Sequence, residues 1–132
     1  GFFFFFLLSY YIVVNTPLIQ LILIISITAL LTIFIKNITK IKRPKNALVK
    51  LCDYSFPSGH TSMSFALATF FTYFIFNLNI DLISKIMLIS VIISGALAIT
   101  FWRLQIKVHT PFQVFVGGLL GFFVSYVVIF IF

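Results

Sequence analysis

Acidic residues are almost missing from this 132-residue chain: Asp53 and Asp81 are the whole inventory, and glutamate does not occur. Two carboxylates so far apart cannot build the oxygen cage that magnesium or calcium prefers. Cysteine is nearly absent too, and the lone Cys52 excludes an intrachain disulfide and a thiolate metal site. No cofactor is expected, and any chemistry should be metal-independent. Charge of either sign is scarce, at 8% of residues, where a soluble domain carries roughly 25%. The chain also lacks an initiating methionine. It opens on Gly1, and its first apolar run, Phe2 to Val14, is shorter than the ~20 residues a spanning helix needs. A fragment missing an N-terminal part, up to a whole helix, is therefore expected. A signal peptide is the competing reading, but the basic flank and the small-residue cleavage site are absent.

What is present is apolar. Hydrophobic residues make up 62% of the chain, mean hydropathy is +1.24, and 19 phenylalanines are more than a soluble core of this size could hide. The expected fold class is all-α, an integral membrane bundle of about five spanning helices in a single domain over residues 1–132. The runs are Phe2–Val14, Leu18–Ile35, Thr61–Phe76, Leu82–Trp102 and Pro111–Phe132, with Asn15-Thr16-Pro17 breaking the first from the second. Counting crossings places the 36–60 connection and the 103–109 connection on the same membrane face. The formal charge of +7 suits nucleic acid in principle, yet a chain buried in lipid has little surface for it, so no nucleic-acid partner is expected.

Polar chemistry concentrates on that shared face. Phe56-Pro57-Ser58-Gly59-His60-Thr61 reads as a loop turning into a helix start. Ser58 can cap that helix, Gly59 lets an oxyanion approach the free N–H groups, and His60 can give or take a proton near neutrality. Loops are rich in Ser and Gly, and a lone histidine is often structural, so the segment gains meaning only from its surroundings. Lys36, Lys40 and Arg43 fall at i, i+4 and i+7, on one face if the second helix runs on to Pro44. Arg103 adds a planar fork of donors suited to phosphate. Lys42, Lys45 and Lys50 read more simply as a basic flank for anionic headgroups. His109 and Gln113 lie one turn apart, so the amide of Gln113 is expected to hold one ring nitrogen while the other faces the site.

Taken together, these residues resemble the type 2 phosphatidic acid phosphatase superfamily, which also contains bacterial acid phosphatases and vanadium haloperoxidases. Its first motif, Lys, six residues, Arg-Pro, is matched by Lys36 and Arg43-Pro44; its second stands unaltered as Pro57-Ser58-Gly59-His60. The third, Ser-Arg, five residues, His, three residues, Asp, appears as Trp102-Arg103, His109 and Gln113, so its Ser and its Asp are replaced. His109-Thr110, then Gln113-Val114 and a Gly-rich helix, also resemble the dolichyl diphosphatase branch, where Gln stands for that Asp. The resemblance implies a metal-independent phosphatase acting on a lipid phosphate or diphosphate, polyprenyl, dolichyl or phosphatidic-acid-like. His109 would attack phosphorus to give a phosphohistidine and His60 would protonate the leaving group. Lys36, Arg43, Ser58, Gly59 and Arg103 would hold the phosphate. A neutral Gln113 could orient the imidazole but not stabilise its charge. The haloperoxidase reading fails on composition, because those relatives are soluble. A non-catalytic bundle that grips or transports lipid headgroups with the same cations is the alternative.

Two further expectations concern placement. Of nine Lys/Arg, only Lys85 lies away from the motif face, which by the positive-inside rule makes that face cytoplasmic. Lys36, Arg43 and Arg103 are kept for chemistry, however, and family members that handle polyprenyl carriers often work on the outer face, so both sides stay open. In the last helix, Gly117, Gly121 and Ser125 continue the stripe of His109 and Gln113 at four-residue spacing. Such small residues allow close helix packing, and Ser64, Ala68 and Thr72 offer a matching face.

Overall fold

The computed structural model describes residues 1–48 and 54–132, apart from the side chains of residues 12–14. Lys50, Cys52 and Asp53 lie outside the described residues. Among the described residues four helices follow in order: α1 (Phe2–Thr39), α2 (Gly59–Phe76), α3 (Leu82–Gln105) and α4 (Pro111–Ile131).

The first two apolar runs are thus one helix, and the expected break at 15–17 is not made. Pro17 sits inside α1, where it removes one N–H, and the side-chain amide of Asn15 turns back to donate to the Tyr11 carbonyl at 2.8 Å. Membrane helices tolerate such a proline, and α1 runs on through it. The other end of α1 also differs from expectation. Lys40 takes a left-handed conformation (φ 49°) and returns its N–H to the Lys36 carbonyl at 2.9 Å, closing the helix four residues before Pro44. Lys36 and Arg43 therefore do not share a helical face, and Lys40 is exposed. Conversely, α3 runs past Trp102, so Arg103 belongs to its last turn rather than to the connection that follows.

Among the described residues three stretches, Asn15–Thr39, Leu82–Gln105 and Pro111–Ile131, are long and apolar enough to cross a membrane. The 18-residue α2 lies at the centre and packs against the other three helices. Its small residues decide where. A Cβ built on Gly121 would lie 2.0 Å from the Ser62 carbonyl oxygen and 2.8 Å from the Ala66 nitrogen, and one on Gly117 would lie 2.7 Å from the Ser58 carbonyl oxygen. The glycine stripe of α4 is thus in backbone contact with α2, as its spacing predicts. The matching face of α2 is Ser58, Ser62 and Ala66, however, and not Ser64, Ala68 and Thr72. Residues 64 and 68 are each two positions, about 200°, around the helix from 62 and 66. Ala68 and Thr72 instead line a groove shared with Ile93 and Ala96 of α3. Ile24 of α1, Ala66 and Phe70 of α2 and Val128 of α4 form the buried core.

Candidate active site

Two helix starts and two helix ends meet on one face of the bundle. The loop after α1 and the short loop before α4 are joined there, since Leu48 donates to the Ile106 carbonyl at 2.8 Å. At the start of α2, Ser58 is the N-cap: its hydroxyl oxygen accepts from the Thr61 N–H at 3.5 Å and donates to Thr61 Oγ1 at 3.0 Å. The first N–H groups of a helix have no intrahelical acceptor, so Gly59 and His60 present donors outwards. The Ser58 N–H is used differently, donating to the Gln113 carbonyl at 3.3 Å and tying the loop to α4.

Beside this helix start lies a cavity of about 540 Å³ lined by Lys36, Arg43, Gly59, His60 and Arg103, with an apolar wall of Ala29, Ile33 and Met63. Every expected phosphate-binding side chain borders it except Ser58, which is buried behind as the cap. A Cβ added to Gly59 would meet Thr32 Cγ2 at 3.4 Å and Lys36 Nζ at 3.7 Å. Both are ordinary van der Waals contacts, so the glycine leaves an open approach beside the lysine ammonium. His60 is exposed at the rim and meets the edge of Trp102 with ring centroids 6.2 Å apart. The Arg103 guanidinium carbon lies 5.1 Å from the centroid of the same indole. Trp102, which replaces a motif serine, therefore touches both the candidate acid His60 and the candidate phosphate-binding Arg103.

His109 is buried at the head of the site. Its Nδ1 lies 2.8 Å from the Ser55 carbonyl oxygen. A carbonyl can only accept, so Nδ1 carries the proton and Nε2 holds a free pair. Arg43 Nη1 at 3.2 Å and Arg103 Nη2 at 3.4 Å both point donors at that pair, and Arg43 Nη1 also donates to the Val108 carbonyl at 3.2 Å. Burial lowers the His109 pKa to about 4, helped by the positive charges of Arg43, Arg103 and Lys36 and opposed by the Ser55 carbonyl. At neutral pH the imidazole is uncharged and its Nε2 can act as a nucleophile.

Gln113 does not hold the ring as expected. Its Oε1 accepts from the Thr110 N–H at 3.0 Å, completing a capping box at the start of α4, and its Nε2 donates to Ser55 Oγ at 3.0 Å. The amide bonds to the cap and to Ser55 instead, because the helix start turns the Gln113 side chain towards its own N-terminus. Ser55 itself went unnoticed in the sequence. It belongs to no motif, and a serine before Phe-Pro carries no signal that its carbonyl meets an imidazole 54 residues away.

The sequence profile of the PAP2 superfamily matches residues 17–132. The chain belongs to that superfamily. Among solved structures, this PAP2 protein is similar to the transmembrane PAP2 type phosphatidylglycerolphosphate phosphatase from Bacillus subtilis. That likeness has a TM-score of 0.78 and 23% identity over 96% of this chain and 68% of the other. It is also similar to Aquifex aeolicus LpxE, with a TM-score of 0.71 and 28% identity over 98% of this chain and 78% of that one. No curated protein sequence matches it. With its apolar spans and these neighbours, this PAP2 protein is an integral, multi-pass membrane protein.

Proposed function

We propose that this PAP2 protein is a lipid phosphatase that releases phosphate from a lipid phosphate or diphosphate through a phosphohistidine on His109. The observation that carries the reading is the Nε2 pair of a buried, neutral His109, aimed between two guanidinium groups that border the cavity. The phosphatidylglycerolphosphate phosphatase of similar fold supports the substrate class.

The chemistry runs in two displacements. Phosphate oxygens entering the cavity draw Arg43 and Arg103 onto themselves, with Lys36 and the N–H groups of Gly59 and His60 completing the cradle. His109 Nε2 then forms a bond to phosphorus as the bond to the leaving oxygen breaks, and His60 delivers its proton to that oxygen. In the second step a water attacks phosphorus, His60 takes the water proton, the N–P bond breaks and inorganic phosphate leaves. Fixed cations supply the charge stabilisation, so no step requires a metal. The apolar wall of Ala29, Ile33 and Met63 beside the cations suits an amphiphile better than a soluble ester.

The test is a panel of polyprenyl diphosphate, phosphatidic acid and phosphatidylglycerolphosphate in detergent, read by inorganic phosphate release. Turnover of at least one lipid, abolished by His109→Ala, is the expected result. Headgroup binding without phosphate release from any of them would favour the non-catalytic bundle.

A further inference from the structure

The Asp that usually closes the third motif is absent, and the Gln in its place bonds elsewhere, yet the His109 imidazole is held in one orientation. What holds it is Ser55. Its carbonyl accepts from His109 Nδ1 at 2.8 Å, and its own N–H is fixed on the Ile41 carbonyl at 2.8 Å. The Ser55 hydroxyl accepts from Gln113 Nε2 at 3.0 Å and has two acceptors for its single proton, the Lys42 carbonyl at 3.0 Å and the Ile41 carbonyl at 3.1 Å. Ser55 is completely buried, so water does not compete for these bonds.

We propose that Ser55 is the positioning residue of the nucleophile: its carbonyl fixes His109 as the Nδ1–H tautomer, and its hydroxyl, gripped by Gln113, keeps that carbonyl in place. Gln113 thereby acts on His109 through Ser55, as a neutral substitute for a charged partner. The same hydroxyl anchors the strand of loop that leads into Arg43, so one residue registers the nucleophile against a phosphate ligand. A neutral partner orients the ring without stabilising an imidazolium. This matches a histidine that must stay uncharged until phosphorus arrives.

The turnover part of the test rests on the phosphatase reading; the tautomer part does not. With only His60 and His109 in the chain, nitrogen-15 spectra of histidine-labelled protein in detergent can be assigned with His60→Ala. The wild type should show His109 as the Nδ1–H tautomer. Ser55→Ala should yield a mixture of tautomers and lower kcat about tenfold, the cost of losing a partner that orients an imidazole, with KM changed less than twofold. Gln113→Met removes the donor to Ser55 and offers the Ser55 hydroxyl no new acceptor, while Thr110 still caps α4. It should behave similarly, and it serves where Ser55→Ala does not fold. Gln113→Met combined with Ser55→Ala should lose no more than the worse single variant, because both act along one path. A His109 that stays fully Nδ1–H in both single variants overturns the proposal. A wild type with the expected tautomer but no lipid phosphatase activity overturns the functional reading and leaves the positioning role standing.

Discussion

Gly121→Ala adds one carbon, and the structure states where that carbon must go. Its Cβ would lie 2.0 Å from the Ser62 carbonyl oxygen, 2.8 Å from the Ala66 nitrogen and 2.9 Å from the Ser62 carbonyl carbon. All three are backbone atoms of α2, so no side chain can swing aside. An ordinary carbon–oxygen approach is about 3.3 Å, so α4 and α2 must separate locally by about 1 Å or more. Overpacking of this kind costs about 1–3 kcal/mol, which should appear as a lower melting temperature in detergent. The catalytic consequence travels along a stiff rod. Gly121 is about 15 Å from the start of α4 at a rise of 1.5 Å per residue, and that start carries the cap beside His109. Shifting the nucleophile by about 1 Å relative to the start of α2 should lower turnover about 100-fold, although residue 121 touches no substrate. Gly121→Leu should be worse. Two alanine controls isolate the effect: Gly95→Ala meets nothing within 4 Å, and Gly118→Ala meets only the Phe65 ring at 3.5 Å. Phe123→Leu, on an exposed face, should also be tolerated. Full activity and an unchanged melting temperature in Gly121→Ala would refute the argument that this contact sets the distance between the two halves of the site.

Other outcomes follow from the site. His109→Ala should abolish both turnover and acid-labile phosphoenzyme. His60→Ala should lose least on substrates with good leaving groups, and equal losses across a leaving-group series would argue against its role as the acid. Activity should survive a chelator and be inhibited by vanadate; loss on chelation that magnesium restores would sink the metal-free mechanism. The folded-state pKa of His109, lowered to about 4 from 6.5, keeps the nucleophile uncharged in moderately acidic buffer, so its acid limb in kcat/KM should fall near 4. Because the folded state disfavours the proton, this group's stabilising contribution is complete above pH 6.5 and is lost as pH falls from there towards 4. Arg103→Gln removes one of the charges that depress the pKa and should move the limb upwards, which pH–rate profiles would read directly.

Much of the site was legible because its residues act through properties that spacing preserves. Pro57-Ser58-Gly59-His60 announces a capped helix start, and the glycine stripe of α4 announces a close helix contact; both are local patterns. The partner face on α2 is not legible in the same way, since Ser64, Ala68 and Thr72 are as small as Ser58, Ser62 and Ala66. Composition alone does not say which side of a doubly packed helix meets which neighbour. The end of α1 was missed for a conformational reason: Lys40 adopts a left-handed backbone that a lysine seldom chooses. The continuity of α1 through Pro17 is concealed by a triplet that favours turns in water, whereas a helix among apolar neighbours tolerates the proline. Ser55 lay beyond reach because its role belongs to its carbonyl, which every residue possesses.

The guanidinium groups resting on His109 have a consequence for selectivity. A ligand gains access to the lone pair only by offering Arg43 and Arg103 something better to hold. A doubly negative phosphate does so, whereas a neutral ester or a carboxamide, however well it fits the apolar wall, leaves both cations where they are. On the proposed phosphatase reading, discrimination would depend on anionic charge rather than on the outline of the lipid. Such a bundle would accept many tails yet ignore the neutral esters of the bilayer in which it sits.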